Sequence, residues 1–390
     1  MRSFASLRMT NLKLIKYYIS IILFLISSLL FSQTRDELIL KGIDHVYKTE
    51  FDSALVIFQP IVNNDPKDPT GPFFAAMTEW WRIYINKEDH FNDDNYLSKV
   101  DICVKLCDEK LDANEYDDWA TFIKGGVIGY RGFINSIRDN WLSAIDDGRE
   151  GLNLLQKSYE LNPTNKDAIL GIGLYNYAVD YVVNRYPFLK AVLFFFPKGN
   201  KEIGLQQLRD CSVNGKYSKT EANVILCFIH LRYEKNYPEA VTYASKLVQQ
   251  YPQNALFKRF LGICYIGLSR FAESDSLYKE MLANIDSSKY GYTGPYIKRE
   301  AFYYYAVGKS KTNQLDDALK YYEQTVKICR EIEQDNHSPF HVFSVLGIGV
   351  IYDLKGNHNE AVKYYDRVLE MKDIDNSRET AQKYKDKGVK

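Results

Sequence analysis

His337 and His341 stand four residues apart, the spacing that sets two imidazoles on one helical face where they could hold a metal ion. Ser338 and Pro339 between them read as an N-cap followed by the first helical residue, so His337 falls before the helix and the shared face is lost. Cys103 and Cys107 do share a helical face, but no second pair of ligands stands at usable spacing, and His90 lies across a predicted loop. They read as a buried thiol face. Gly171-x-Gly173 and Gly347-x-Gly349 look like halves of a phosphate-cradling loop, yet neither follows a strand or supplies the third glycine. Asp117-Asp118 and Asp146-Asp147 are carboxylate pairs of the sort that solvated helices commonly carry. There is no G-x-S-x-G, and no nucleophile stands beside a base. The expectation is a chain that is not an enzyme and uses no metal and no cofactor.

The elements behind these residues are helical. Across 390 residues there are 31 Tyr and 21 Phe but only 11 Pro and 22 Gly, a balance that favours long, rarely broken elements with many amphipathic aromatic contacts. A chain this long exceeds what one compact core supports, so it divides into domains or stacks as an array. The N-terminus serves another purpose. Lys13 and Lys16 precede the apolar run Tyr17 to Phe31, and Ser32 closes it, which reads as a signal peptide at 1–32 cleaved near Ser32. The run is shorter than the roughly 18 to 20 residues a bilayer-spanning helix needs, so export to the periplasm is expected rather than anchoring by residues 17–31. Cleavage would remove Arg2, Arg8, Lys13 and Lys16 and leave a slight acidic excess, which argues against nucleic acid as a partner. Six cysteines lie inside predicted helices among apolar neighbours; they read as core thiols, with Cys211 and Cys227 as a possible bridge between neighbouring helices.

An internal period decides the architecture. LGICY at 261–265 recurs as LGIGLY at 170–175 and LGIGVIY at 346–352, each early in a helical stretch and followed by a second helix carrying a small residue and an aromatic. The 34-residue window 255–288 carries Leu261, Gly262, Tyr265, Tyr278 and Met281, and 342–375 carries Gly349, Tyr352, Ala361 and Tyr365. Windows 35–68 (Gly42, Ala54, Phe58, Pro66), 221–254 (Ala240, Ala244, Pro252) and 299–332 (Ala318, Tyr322) follow the same pattern. This resembles the tetratricopeptide repeat, in which a small residue lets two helices approach and an aromatic fills the gap one turn away. The resemblance implies an all-α, right-handed solenoid of stacked helix hairpins with a concave groove, since one hairpin cannot bury its own apolar face. Within an N-terminal degenerate region, 33–215, residues 71–215 fit the template poorly, with longer helices at Gly71–Asn86, Asn95–Leu111, Tyr116–Ile137 and Trp141–Leu161. Residues 216–390 fit it well and end in a polar helix that Asn376 and Glu379 are expected to cap. The stretch 118–370 is similar to the tetratricopeptide-repeat 39 and inclusion-body-clearance group. It shares with that group a Gly-rich helix (Gly171–Tyr177), a hydrophobic Pro-containing turn (186–199) and a Gly-Leu-x-x-Leu helix (Gly204–Leu208).

The family's groove-lining positions fall here on Arg232, Tyr233, Arg259, Tyr303 and Lys311. Tyr and Arg supply most binding hot spots, so the resemblance implies a protein or peptide partner, extended or acidic, held by an adaptor or assembly scaffold. The subset of the family that clamps a chain-terminal carboxylate needs Lys and Asn where this chain has Ile39 and Ile43, or Ile225 and Ile229, so that partner is not expected. A second candidate surface is Tyr186 to Phe196, including Phe188, Phe194, Phe195 and Phe196. Such a run is either packed inside the array or exposed as a contact for a partner or a membrane surface in envelope or lipid handling.

Overall fold

The computed structural model describes residues 34–185, 197–333 and 337–389, and among them are seventeen α-helices and no strand. Eight antiparallel pairs and a closing helix follow one another. They are α1 (Arg35–Tyr47) with α2 (Phe51–Asn64), α3 (Thr70–Ile85) with α4 (Asp93–Ala113), α5 (Asp118–Ile137) with α6 (Trp141–Leu161), and α7 (Ala168–Arg185) with α8 (Lys201–Asn214). The later pairs are α9 (Lys219–Phe228) with α10 (Tyr237–Gln250), α11 (Ala255–Gly267) with α12 (Phe271–Asp286), α13 (Pro295–Lys311) with α14 (Leu315–Ile332), and α15 (Pro339–Leu354) with α16 (His358–Glu370). α17 (Ser377–Lys387) ends the array. Each helix packs on its successor, which gives the predicted right-handed all-α solenoid. The long helices α3 to α6 match their expected spans to within a turn.

The pairs close as the repeat pattern requires. A Cβ placed on Gly42 would stand 2.2 Å from the Phe58 ring, one on Gly262 2.6 Å from Tyr278, and one on Gly349 2.6 Å from Tyr365. Three pairs thus use one device, a helix without a side chain at the point where the partner helix inserts a ring. Those rings are buried, each contributing about 1.5–3 kcal/mol of apolar transfer. Gly173 and Gly204 do the same for α7 and α8 by backbone contact: a Cβ on Gly204 would lie 2.7 Å from the Gly173 carbonyl oxygen and 2.6 Å from the Tyr177 nitrogen.

The joints within pairs repeat more faithfully than the side chains. Thr49, Asp139, Lys235, Ser269, Asn313 and Gly356 each have a positive φ, in the left-handed region, and each stands two residues before its pair's second helix begins. The backbone nitrogen one residue later bonds back into the first helix, as in Glu50 to His45, Asn140 to Asn135 and Arg270 to Tyr265 (2.8–2.9 Å). This is the Schellman-type closure of a helix C-terminus, here accepted by five residue types other than glycine.

Two expectations meet a different structure. Asn376 does not cap α17, since its φ is 61° and its side chain bonds nothing there; Asp373 accepts from the Arg378 nitrogen (3.1 Å) and from Ser377 Oγ (3.2 Å) instead. All six cysteines are buried free thiols: Cys211 Sγ lies 3.2 Å from Ser218 Oγ, and Cys227 Sγ donates to the Ala240 carbonyl (3.7 Å) rather than meeting Cys211. The expected export segment 1–32 and Phe188, Phe194, Phe195 and Phe196 lie outside the described residues. Among the described residues no helix is long and apolar enough to cross a membrane.

Candidate functional site

The array winds back on itself, and this sets which part of its inner surface is open. α1 lies along the joints that precede α9, α11 and α13. At its start Asp36 accepts from Lys216 and Tyr217; at its end the Tyr47 carbonyl accepts from Asn254 Nδ2 (2.8 Å); just beyond, the Thr49 carbonyl accepts from the Tyr290 hydroxyl (2.8 Å). Tyr47 sits among Trp81, Tyr251 and Phe257, with ring centroids 5.1, 5.5 and 6.3 Å away. Across the interior the Tyr130 hydroxyl of α5 donates to Glu221 Oε2 of α9 at 2.5 Å. Burial pushes the Glu221 carboxyl up to about 7, against the pull of that hydrogen bond. Much of the inner face is therefore core, joining residues more than 200 positions apart.

Further along, the inner face carries cations among tyrosines. α9 ends in a π-helical turn, Ile229–Tyr233, which inserts Arg232 and Tyr233 beyond the regular helix. Turns of this kind disrupt the hydrogen-bond ladder and recur at functional sites. Because of the extra residue, Asn236 N closes on the His230 carbonyl, six residues back, rather than five as at the other joints. Arg232 is exposed and forms no ion pair among the described residues. Tyr233, 41% exposed, packs on Tyr181 (4.8 Å) and edge-on to Phe228 (5.5 Å). Arg259 of α11 is half-buried and paired with Glu300 of α13. Burial holds its guanidinium below the ordinary value, opposed by the neighbouring Tyr304, Tyr84 and Tyr278 hydroxyls. Tyr303 packs against Tyr304, Phe340 and Tyr322 (5.0, 5.3 and 6.1 Å), and burial raises its hydroxyl well above the usual range.

Four of the five predicted groove residues thus come into one electrostatic neighbourhood. Arg232 acts on both Tyr303 and Tyr304, Arg259 on Tyr304 and Tyr84, and Tyr233 on Tyr84. Lys311, exposed at the end of α13, has no contact with the other four. The structure adds two cations that no repeat position pointed to. Lys87, just past α3, is open to solvent yet walled in; lost hydration and then the Arg259, Arg232 and Arg299 charges depress its ammonium, with Glu88 opposing. Lys235 is depressed by burial and by Arg232, with Asp375 opposing. Crowded like charges favour an anion between them, because an anion relieves both their repulsion and their lost hydration.

A cleft of about 250 Å³ lies between α12 and α13, lined by Phe271, Asp275, Tyr305, Lys309 and Gln314. Its charges are already matched, since Lys309 Nζ lies 2.6 Å from Asp275 and donates to Gln314 (2.8 Å). That cleft offers a ligand no unneutralised charge. The inner face beside Arg232 does.

Residues 299–373 match the tetratricopeptide repeat family. Among solved structures the chain is similar to PilW, a widely conserved type IV pilus biogenesis factor, at 15% identity over 66% of this chain and 98% of that one, with a TM-score of 0.43. It is also similar to yeast Tom70 (11% identity, 90% of this chain and 81% of that one, TM-score 0.42) and to the human IFIT1 dimer with m7Gppp-AAAA (15%, 82% and 68%, 0.35). No curated protein matches it.

Proposed function

The chain carries tetratricopeptide repeats over 299–373, and from that premise we propose that it is a binding protein without catalytic machinery, an adaptor or assembly scaffold that takes an extended acidic segment of a protein partner on its inner face. The observation that carries this reading is Arg232, an exposed guanidinium on a π-helical turn with no carboxylate partner among the described residues. Lys87 and Lys235 stand near it, and Tyr233, Tyr303 and Tyr304 wall it. Tyr and Arg give contact area and bidentate carboxylate recognition at small entropic cost, so a preordered surface of this composition suits a peptide rather than a small molecule. Arg259 enters as a wall residue, because Glu300 already occupies its charge.

The partner is met outside the cytoplasm. That part of the reading rests on Lys13, Lys16 and the apolar run Tyr17 to Phe31 closed by Ser32. N-terminal sequencing of the chain recovered from a fractionated cell decides it: a start just after Ser32 in the envelope fraction supports export, and an intact Met1 in the cytosol removes it.

The binding reading is tested with a fluorescent oligoglutamate peptide carrying two tyrosines, titrated by anisotropy against the wild type and an Arg232→Glu/Lys235→Glu variant. Binding that weakens with salt and at least tenfold on charge reversal supports the proposal. Equal affinity for a lysine-rich control peptide, or no change in the variant, overturns it.

A further inference from the structure

The joint between α14 and α15 holds three buried side chains of different metal-binding chemistry. Cys329 lies on the last turn of α14, Glu333 is its C-cap and His341 is on the first turn of α15; one ligand atom from each lies within 4.8 Å of the other two. Cys329 is fully buried, and the Glu333 and His341 side chains are 3% and 8% exposed. His341 Nδ1 is buried and has no hydrogen-bond partner, although it points at the group: it is 3.3 Å from Glu333 Oε2 at an angle that makes no bond. A buried ring nitrogen left open beside a thiol and a carboxylate is a costly arrangement unless something fills the space between them.

We infer that Cys329, Glu333 and His341 form a zinc-binding site that pins the end of α14 to the start of α15. Thiolate, imidazole and carboxylate together suit Zn²⁺ and exclude the oxygen-rich shells of Ca²⁺ and Mg²⁺. Bonds of about 2.0–2.3 Å place ligand atoms roughly 3.3–3.8 Å apart in a tetrahedron, so the three need close by only about an ångström.

The surrounding charges fit. Arg299 makes a bidentate pair with Glu88 (2.6 and 2.7 Å), which neutralises both, and donates to Glu333 Oε1 at 2.8 Å. Ser338 N donates to Glu333 Oε2 at 2.9 Å and leaves that oxygen a second lone pair. The Cys329 thiolate and Glu333 then balance a divalent ion, and binding releases the thiol proton to solvent. Arg299 orients Glu333 from behind. The fourth position falls to water or to His337, whose ring centroid is 5.2 Å from that of His341.

The experiment uses the full chain with Cys103→Ser and Cys107→Ser as background, which removes the pair of thiols that share one helix. Purified without chelator and loaded with Zn²⁺ or Co²⁺, it is measured for metal by mass spectrometry and for thiolate-to-cobalt charge transfer by absorption. One metal per chain with a charge-transfer band, both lost on Cys329→Ser and the metal held at least tenfold more weakly on His341→Ala, supports the site. Should either variant fail to fold by circular dichroism, Glu333→Gln is read in its place: metal held at least tenfold more weakly supports the site, and unchanged metal binding overturns it. No band, or metal retained at full stoichiometry by both variants, overturns it.

Discussion

Replacing Glu221 with glutamine should abolish the pH dependence that one buried carboxyl imposes on this fold. Glu221 is 5% exposed, and Tyr130 from α5 donates to it. Tyr47 from α1, Tyr84 from α3 and Cys211 from α8 lie around it, and burial first, with its charge adding, suppresses their own ionisation. Burial moves its carboxyl from the ordinary 4.5 to about 7. Below pH 4.5 the group is protonated whether the chain is folded or not, and contributes nothing. Between 4.5 and 7 the unfolded chain gives up the proton while the folded one keeps it, so stability falls as pH rises and then levels off above 7. At about 1.4 kcal/mol per pH unit the full loss is about 3 kcal/mol. Glutamine keeps the shape and the bond from Tyr130 but buries an amide N–H pair without an acceptor, costing about 1–3 kcal/mol at every pH. Glu221→Gln should therefore be destabilised at pH 5 and near neutral or stabilised at pH 8, the mutant-minus-wild-type difference moving by about 2–3 kcal/mol between the two. Urea unfolding by far-ultraviolet circular dichroism at both pH values measures it. A difference that stays the same at pH 5 and pH 8 would show that Glu221 is not a buried acid tying α9 to α5, and the description of the inner face would fall with it.

Two further substitutions probe the fold. Arg299→Met should strand Glu333, whose side chain is 3% exposed, and cost about 3–5 kcal/mol; limited proteolysis should show the α13–α14 region opening first, and unchanged resistance there would refute the network. Gly349→Ala sets a methyl 2.6 Å from the Tyr365 ring, which cannot swing away because its hydroxyl donates to Asp353 (2.7 Å). Overpacking of about 1–3 kcal/mol outweighs the roughly 1 kcal/mol that alanine gains over glycine in a helix, so a melting temperature that rises would contradict the packing.

What was legible in the sequence was local. Ser338 followed by Pro339 marked a helix start, and Ser338 Oγ does accept from the His341 nitrogen (3.3 Å). The glycine and aromatic pairs Gly42 with Phe58, Gly262 with Tyr278 and Gly349 with Tyr365 gave away the hairpins because both partners lie within one repeat. The same reasoning set His337 outside the helix and so apart from His341, yet their rings meet at 5.2 Å across the turn, which also brings His341 to Cys329 and Glu333. The left-handed joints were hidden because Thr49, Lys235 and Asn313 occupy a conformation that only glycine advertises. Lys87 and the Arg299–Glu88 pair were invisible for a different reason: their partners lie far away in the chain and meet only because the solenoid closes on itself. The π-helical turn has no signature in its residues, so Arg232 was reached through its repeat position alone.

The claim that the inner face is the binding surface is tested most directly by site-specific photocrosslinking in the native cell, with the photoreactive residue at position 232 and, as control, at position 56, where Val56 is 72% exposed on α2. One discrete adduct from position 232, containing an acidic segment of another protein, is expected, and none from position 56. Adducts of equal yield and pattern from both positions, or an adduct from position 56 alone, would contradict it.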